Sequence, residues 1–164
     1  MQKTVSPYSQ IEKVVVNTGL GRFSSNPNFE KTLPEIINEM AILTGQKPSP
    51  RPSTQSISGF KIRAGAIIGL KTTLRKKRMA DFLTRVIKIV LPRIRDFRGL
   101  NLKNVDQKGN LNIGIKEHSV FPEINLEQSK ANFGLQITVV PKNIKNREGA
   151  IKLYRDLGIP LQKS

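Results

Sequence analysis

The sequence predicts an α+β fold, mostly an antiparallel sheet with helices packed on one face and the other face open. Three observations carry that reading. Some segments alternate apolar and polar residues with the two-residue period of a strand, and others repeat apolar residues at the 3.6-residue period of a helix. The strand-like segments also keep one side polar, which suits a sheet covered by helices on its apolar side only. The 164 residues fit one domain spanning 1–164, with 1–10 as an N-terminal extension and 59–69 as a projecting basic loop.

The elements follow in chain order. "IEKVVVN", Ile11 to Asn17, sets Val14 and Val16 against Lys13, Val15 and Asn17 as a strand, which Gly19 and Gly21 break. Phe29, Leu33, Ile36, Ile37, Met40 and Thr44 fall at helical spacing, and Gly45 is placed to end that helix. Pro34 disturbs it, so the helix either kinks there or restarts at Thr32. "TLPE" has capping-box spacing, and the restart is the expectation. "KPSPRPSTQSIS", with three prolines, is extended or irregular, or an edge strand. Ile68, Leu70, Thr72 and Leu74 then alternate with Gly69, Lys71, Thr73 and Arg75. The clearest helix follows: Met79, Phe82, Leu83, Val86, Ile87 and Val90 form one stripe, and Pro92 is expected to stop it. Leu111, Ile113 and Ile115 share one face of a strand, as do Phe133, Leu135, Ile137 and Val139. Ala150, Leu153, Tyr154 and Leu157 stripe a last helix, with Asn146 as N-cap and Gly158 just past its end.

Twenty-eight Lys and Arg face twelve Asp and Glu, a formal charge of +16. Self-repulsion on that scale points to a polyanionic partner: nucleic acid, an anionic membrane surface or an acidic protein. The absence of cysteine excludes disulfides, thiolate metal sites and cysteine nucleophiles. His118 is the only histidine, which leaves no multi-histidine metal site; a histidine triad lacks partners for it, and an ordinary strand-end role is expected. "VVVNTGLGRFS" imitates a dinucleotide fingerprint, but Ser24 stands where its third glycine belongs and no cofactor is expected. No signal-like or membrane-spanning run is seen, so a cytoplasmic protein without a membrane partner is expected.

The polar sides of the strands hold Asn17, Lys71, Thr73, Arg75, Asn110, Asn112, Gln136 and Thr138, with Gly114 and Gly134. Amides, hydroxyls and cations bond phosphate, sugar or base edges, and glycines let a bulky partner approach. From Met40 to Ala80 there are nine bases and no acid, unlike an ordinary solvated face. Exposed aromatics are scarce, so phosphates, 2′-hydroxyls and RNA shape are the expected means of recognition, not base stacking. "GFKIRAGAIIG", Gly59 to Gly69, fits either a buried hairpin or a projecting loop whose Lys61 and Arg63 meet a second nucleic acid. In "PRIRDFRG", Asp96 pairs Arg93 or Arg98, or the arginines clamp phosphate.

"VVVNTGLG", "LTGQKP", "GFKIRAG", "TLR", "PRIRDFRGL" and "FPEI" occur in an order and spacing that resemble the universal large-subunit ribosomal protein five family, the 5S rRNA binders. The resemblance covers about Ile11 to Pro160. It implies a non-catalytic, ribosome-bound structural protein of the central protuberance. Its 5S rRNA contacts are implied at Asn17, Thr18, Gln46, Lys47, Lys71, Thr73 and Arg75. Its glycine-bounded loop implies a P-site tRNA contact at Lys61, Arg63, Ala64 and Gly65. Neighbouring large-subunit rRNA and proteins, and small-subunit head protein thirteen, are further implied partners.

Two features depart from the family pattern. Members usually carry a further helix before "VVVN"; here ten residues precede Ile11. After "GQKP", members usually have an aliphatic residue, a small hydroxyl and a basic pair before the next Ser; this chain has Ser49, Arg51, Thr54 and Gln55, with the charge expected to move from Thr54 to Arg51. The alternative to a ribosomal role is an RNA-modifying enzyme or a general module for structured RNA, disfavoured by the missing acid, histidine and cysteine constellations.

Overall fold

A computed structural model describes residues 6–163; the first five residues of the expected N-terminal extension lie outside the described residues. Five strands form one antiparallel sheet: β1 (Ile11–Gly19), β2 (Ser49–Pro52), β3 (Ile67–Leu74), β4 (Leu111–Ile115) and β5 (Leu135–Pro141), in the order β2-β3-β1-β5-β4. Three helices accompany it: α1 (Phe29–Thr44), α2 (Lys76–Arg85) and α3 (Arg147–Asp156). The fold is α+β.

The chain forms two compact units, each drawn from several segments. The first takes the described residues up to Val15, Thr73–Ile113, and those from Ile137 onward; the second takes Val16–Thr72 and Gly114–Gln136.

In the first unit the stripe of α2 is buried at Met79, Phe82 and Leu83, together with Val14, Leu74, Leu111, Ile113, Ile137 and Val139. Burying each such side chain is worth about 1.5–3 kcal/mol. The helical path does not stop before Pro92. It widens into a π turn at Val86–Val90, where the Leu91 N–H reaches the Val86 carbonyl, and ends in a short turn at Leu91–Arg93. A proline lacks an N–H and crowds the carbonyl four residues back; the wider turn just ahead relieves that crowding and lets the path run one residue past it. In α3 the Asn146 side chain accepts from the Gly149 N–H at 3.1 Å, a working N-cap. Buried Tyr154 directs its hydroxyl at the Gly109 carbonyl (2.5 Å) and the Val139 carbonyl (3.2 Å), and burial pushes its phenol well above the ordinary value. Gly109 must be glycine: its φ is +87° and a Cβ there would meet the Ala150 Cβ at 2.8 Å.

In the second unit α1 is one helix from Phe29 through Pro34 to Thr44, without the restart expected at Thr32. The reason is local. Thr32 N–H already bonds the Asn28 carbonyl at 3.1 Å, and its hydroxyl bonds the same oxygen at 3.0 Å, so Thr32 belongs to a turn begun before it. Gly45 closes the helix in a left-handed conformation with its N–H on the Ala41 carbonyl. Ile36, Met40 and Leu43 of α1 are buried, as are Val16, Leu20, Leu70, Phe121 and Phe133. The proline-rich segment supplies β2, an exposed edge strand pairing Ser49 with Lys71, Pro50 with Leu70 and Arg51 with Gly69, with its register broken before Pro52. Proline is tolerated there because an edge strand has one side without ladder bonds. His118 is not an ordinary strand-end residue. It is buried in a 3₁₀ turn after β4, its Nε2 2.9 Å from Glu39 Oε2 and 3.2 Å from Ser129 Oγ, its ring stacked on Phe133 at 4.0 Å.

Candidate nucleic-acid interface

Strand pleating decides which polar groups can meet a partner. In the second unit β1 turns Val16 and Thr18 inward and Asn17 and Gly19 outward, while β3 turns Leu70 and Thr72 inward and Lys71 outward. Asn17 and Lys71 are half-buried; Gly19, Gly114, Lys116 and Gln136 are exposed. Asn17, Gly19, Gly114, Lys116, Gly134 and Gln136 line a shallow depression of about 430 Å³. No acid and no aromatic residue takes part in it.

Thr18 needs correction as an RNA contact. Its side chain falls on the buried parity of β1, is 4% exposed, and donates to the Gly134 carbonyl at 2.7 Å. It supports the outward surface from beneath. Gln46 is half-buried directly after the Gly45 cap, where its carbonyl accepts from the Thr44 hydroxyl at 2.9 Å. Lys47 and Arg51 are exposed, Arg51 on the β2 edge.

The segment with Lys61 and Arg63 is a short hairpin on the surface rather than a buried one. Ile57 and Ile62 exchange backbone bonds of 2.8 and 3.1 Å around a 3₁₀ turn at Ser58–Phe60. Its base is closed by Ser53 N–H to Ala66 O and Gly65 N–H to Ser53 O, both 2.8 Å. Lys61 and Gly65 take left-handed backbone, at φ +53° and +86°. Lys61, Arg63, Ala64 and Gly65 all reach solvent, and no acid lies between Ser53 and Ala66.

The first unit treats its outward groups differently. Thr138 Oγ1 donates to Asn112 Oδ1 at 2.9 Å, and Arg75 Nη1 lies 3.8 Å from Glu12 Oε1, both side chains about half exposed. Thr73 is half-buried. Asn110 is tied to a turn, its Nδ2 and its backbone N–H each 2.9 Å from the Asp106 carboxylate. Burial alone would raise that carboxyl, but hydrogen bonds from the Asn110 side chain and from the Asn110, Lys108 and Gly109 backbone outweigh it and hold it below its ordinary value. Asp96 pairs with neither Arg93 nor Arg98; its contact is Arg95 at 4.0 Å, with both side chains almost wholly in solvent.

One surface escaped the sequence. Glu35, Glu39 and Glu123 line a cleft of about 350 Å³ with Ile42, and Lys130 Nζ pairs Glu35 at 2.6 Å. Only the four-residue spacing of Glu35 and Glu39 signals it, because Glu123 is distant in the chain.

An acid-poor α+β surface of amides, hydroxyls, glycines and cations suits a protein of ribonucleoprotein assemblies, and comparison with known proteins makes the class that of the large-subunit ribosomal proteins. Residues 9–63 match the family described as "Ribosomal protein L5", and residues 67–161 match the model of the same ribosomal family's C-terminus. Over 154 residues the chain is 43% identical to "Large ribosomal subunit protein uL5" of Halothermothrix orenii, covering 94% of this chain and 84% of that protein. It is 42% identical to "Large ribosomal subunit protein uL5c" of Gracilaria tenuistipitata var. liui (96% and 86% covered) and 43% identical to the uL5 of Prochlorococcus marinus strain MIT 9312 (99% and 88%). The chain belongs to the large ribosomal subunit protein uL5 family, ribosome-bound structural components and not enzymes. Among the described residues no helix is long and apolar enough to cross a membrane.

Proposed function

We propose that this chain holds 5S rRNA in the central protuberance of the large subunit. One observation carries the reading: in the second unit the outward positions Asn17 and Gly19 of β1, Lys71 of β3, Gly114 of β4 and Gln136 of β5 include no acid and no aromatic side chain. Such a surface attracts phosphate without repelling it and offers amides and hydroxyls to sugar edges. Asn17, Lys71 and Thr73 supply contacts from the strands, Arg75 from the residue between β3 and α2, and Gln46, Lys47 and Arg51 from the chain after α1 and the β2 edge. The hairpin bearing Lys61, Arg63, Ala64 and Gly65 meets P-site tRNA, a second polyanion suited to its solvent-facing cations. Neighbouring large-subunit rRNA and proteins and small-subunit head protein thirteen are the further partners of this reading.

The test is a salt series of 5S rRNA binding. Replacing Lys71 and Arg75 together by Ala lowers the slope of log affinity against log salt by up to about 1.8 if both touch phosphate. An unchanged slope places the RNA elsewhere. Exchanging Lys61 and Arg63 for Ser spares 5S binding and alters tRNA footprints on reconstituted ribosomes. Lost 5S binding would instead assign the hairpin to the first RNA.

A further inference from the structure

Most glycines of this chain have an internal reason to be glycine. Gly45, Gly65, Gly99, Gly109 and Gly158 take left-handed backbone. A Cβ on Gly69 would stand 3.0 Å from the Thr18 carbonyl, one on Gly134 3.0 Å from the Ile115 carbonyl, and one on Gly149 2.6 Å from Asn146 Oδ1. Four lack one: Gly21, whose Cβ would make only an ordinary 3.9 Å contact with Ile62, Gly59, and the strand pair Gly19 and Gly114. Neither of that pair has left-handed backbone, and a Cβ built on either meets nothing within 4 Å. Both lie in strands, Gly114 at the fourth of five positions in β4, where glycine weakens the strand and offers nothing to pack.

Both glycines also border the same depression, with Asn17, Lys116 and Gln136 around them. We infer that Gly19 and Gly114 are glycine for the sake of the bound RNA: a ribose–phosphate strand of the folded RNA crosses the depression against bare backbone. The inference rests on the 5S rRNA reading of this surface and adds its steric rule. A base stacked on the protein needs an aromatic platform, which the depression lacks. A sugar–phosphate strand needs close approach, hydrogen-bonding amides and a cation, all present here.

The test compares the full chain with Gly114→Val, Gly19→Val and Gly114→Ala in thermal unfolding and in 5S rRNA binding. Gly59→Val is the control, because its Cβ also meets open space but lies outside the depression. The expected result is melting unchanged or raised for the strand variants, with RNA affinity reduced about tenfold or more for Val, less for Ala, and not at all for Gly59→Val. Earlier melting of all three strand variants would assign the glycines to folding and overturn the inference. So would Val variants that fold and bind like the parent. If Lys71→Ala still weakens binding in that case, the 5S reading survives alone; if it too has no effect, both fall together.

Discussion

The two units carry similar outward polar groups but use them in opposite ways. In the first, Arg75 lies beside Glu12, Thr138 donates to Asn112, and Asn110 is held by Asp106. In the second, neither Lys71 nor Lys116 has an acidic partner among the described residues, and a glycine-lined depression lies open. The difference teaches that a formal charge of +16 is not the charge a partner feels. What counts is which cations are already answered from within.

Five variants break or sharpen this contrast. Thr18→Val has the largest expected effect and acts on stability. It removes the donor to the Gly134 carbonyl in a buried setting, so unfolding free energy falls by about 1–3 kcal/mol. RNA affinity of the folded variant stays at the parent value; a marked loss would return Thr18 to the contact surface. Lys71→Ala comes next: 5S rRNA affinity falls by about tenfold and the salt slope by about 0.7–0.9. Arg75→Ala, measured alongside, should change the slope less, because Glu12 already screens it. Equal effects would erase the contrast.

Glu12→Gln is the converse. Releasing Arg75 steepens the salt slope by less than one unit, while stability moves by under about 1 kcal/mol, since exposed ion pairs contribute little. No change in slope would mean that Arg75 touches no phosphate. Smallest is Asp106→Asn. The folded-state carboxyl sits below its ordinary 3.8, so its contribution is complete above that value and is lost as pH falls through the lower folded one. The variant's stability should therefore vary less with pH in that acid range, as acid titration followed by circular dichroism would show.

The strands were legible because period-two patterning is local: Leu70, Thr72 and Leu74 on one side of β3 could be counted off directly. The stripe of α2 was equally plain. Pro92 misled, because a proline's effect depends on the turn before it, and a π turn has no signature in spacing. Thr32 misled through its capping-box neighbours, while the actual first turn was set by the Asn28 carbonyl. Of the candidate contacts, parity alone already put Thr18 with Val14 and Val16 on the inward side. The resemblance to a family, which carries motifs and not orientations, pointed the other way. Pairings across the chain, such as Glu12 with Arg75 or Glu39 with His118, leave no local trace.

The first unit is assembled from three separated segments, with α3 and the second half of β5 translated long after α2. Until those residues emerge, Phe82, Leu83 and Val86 have no complete interior to enter. A nascent chain must therefore wait, greasy and strongly cationic, for its own later residues. That interval, not the finished fold, is when precocious association with stray polyanions is the greatest hazard.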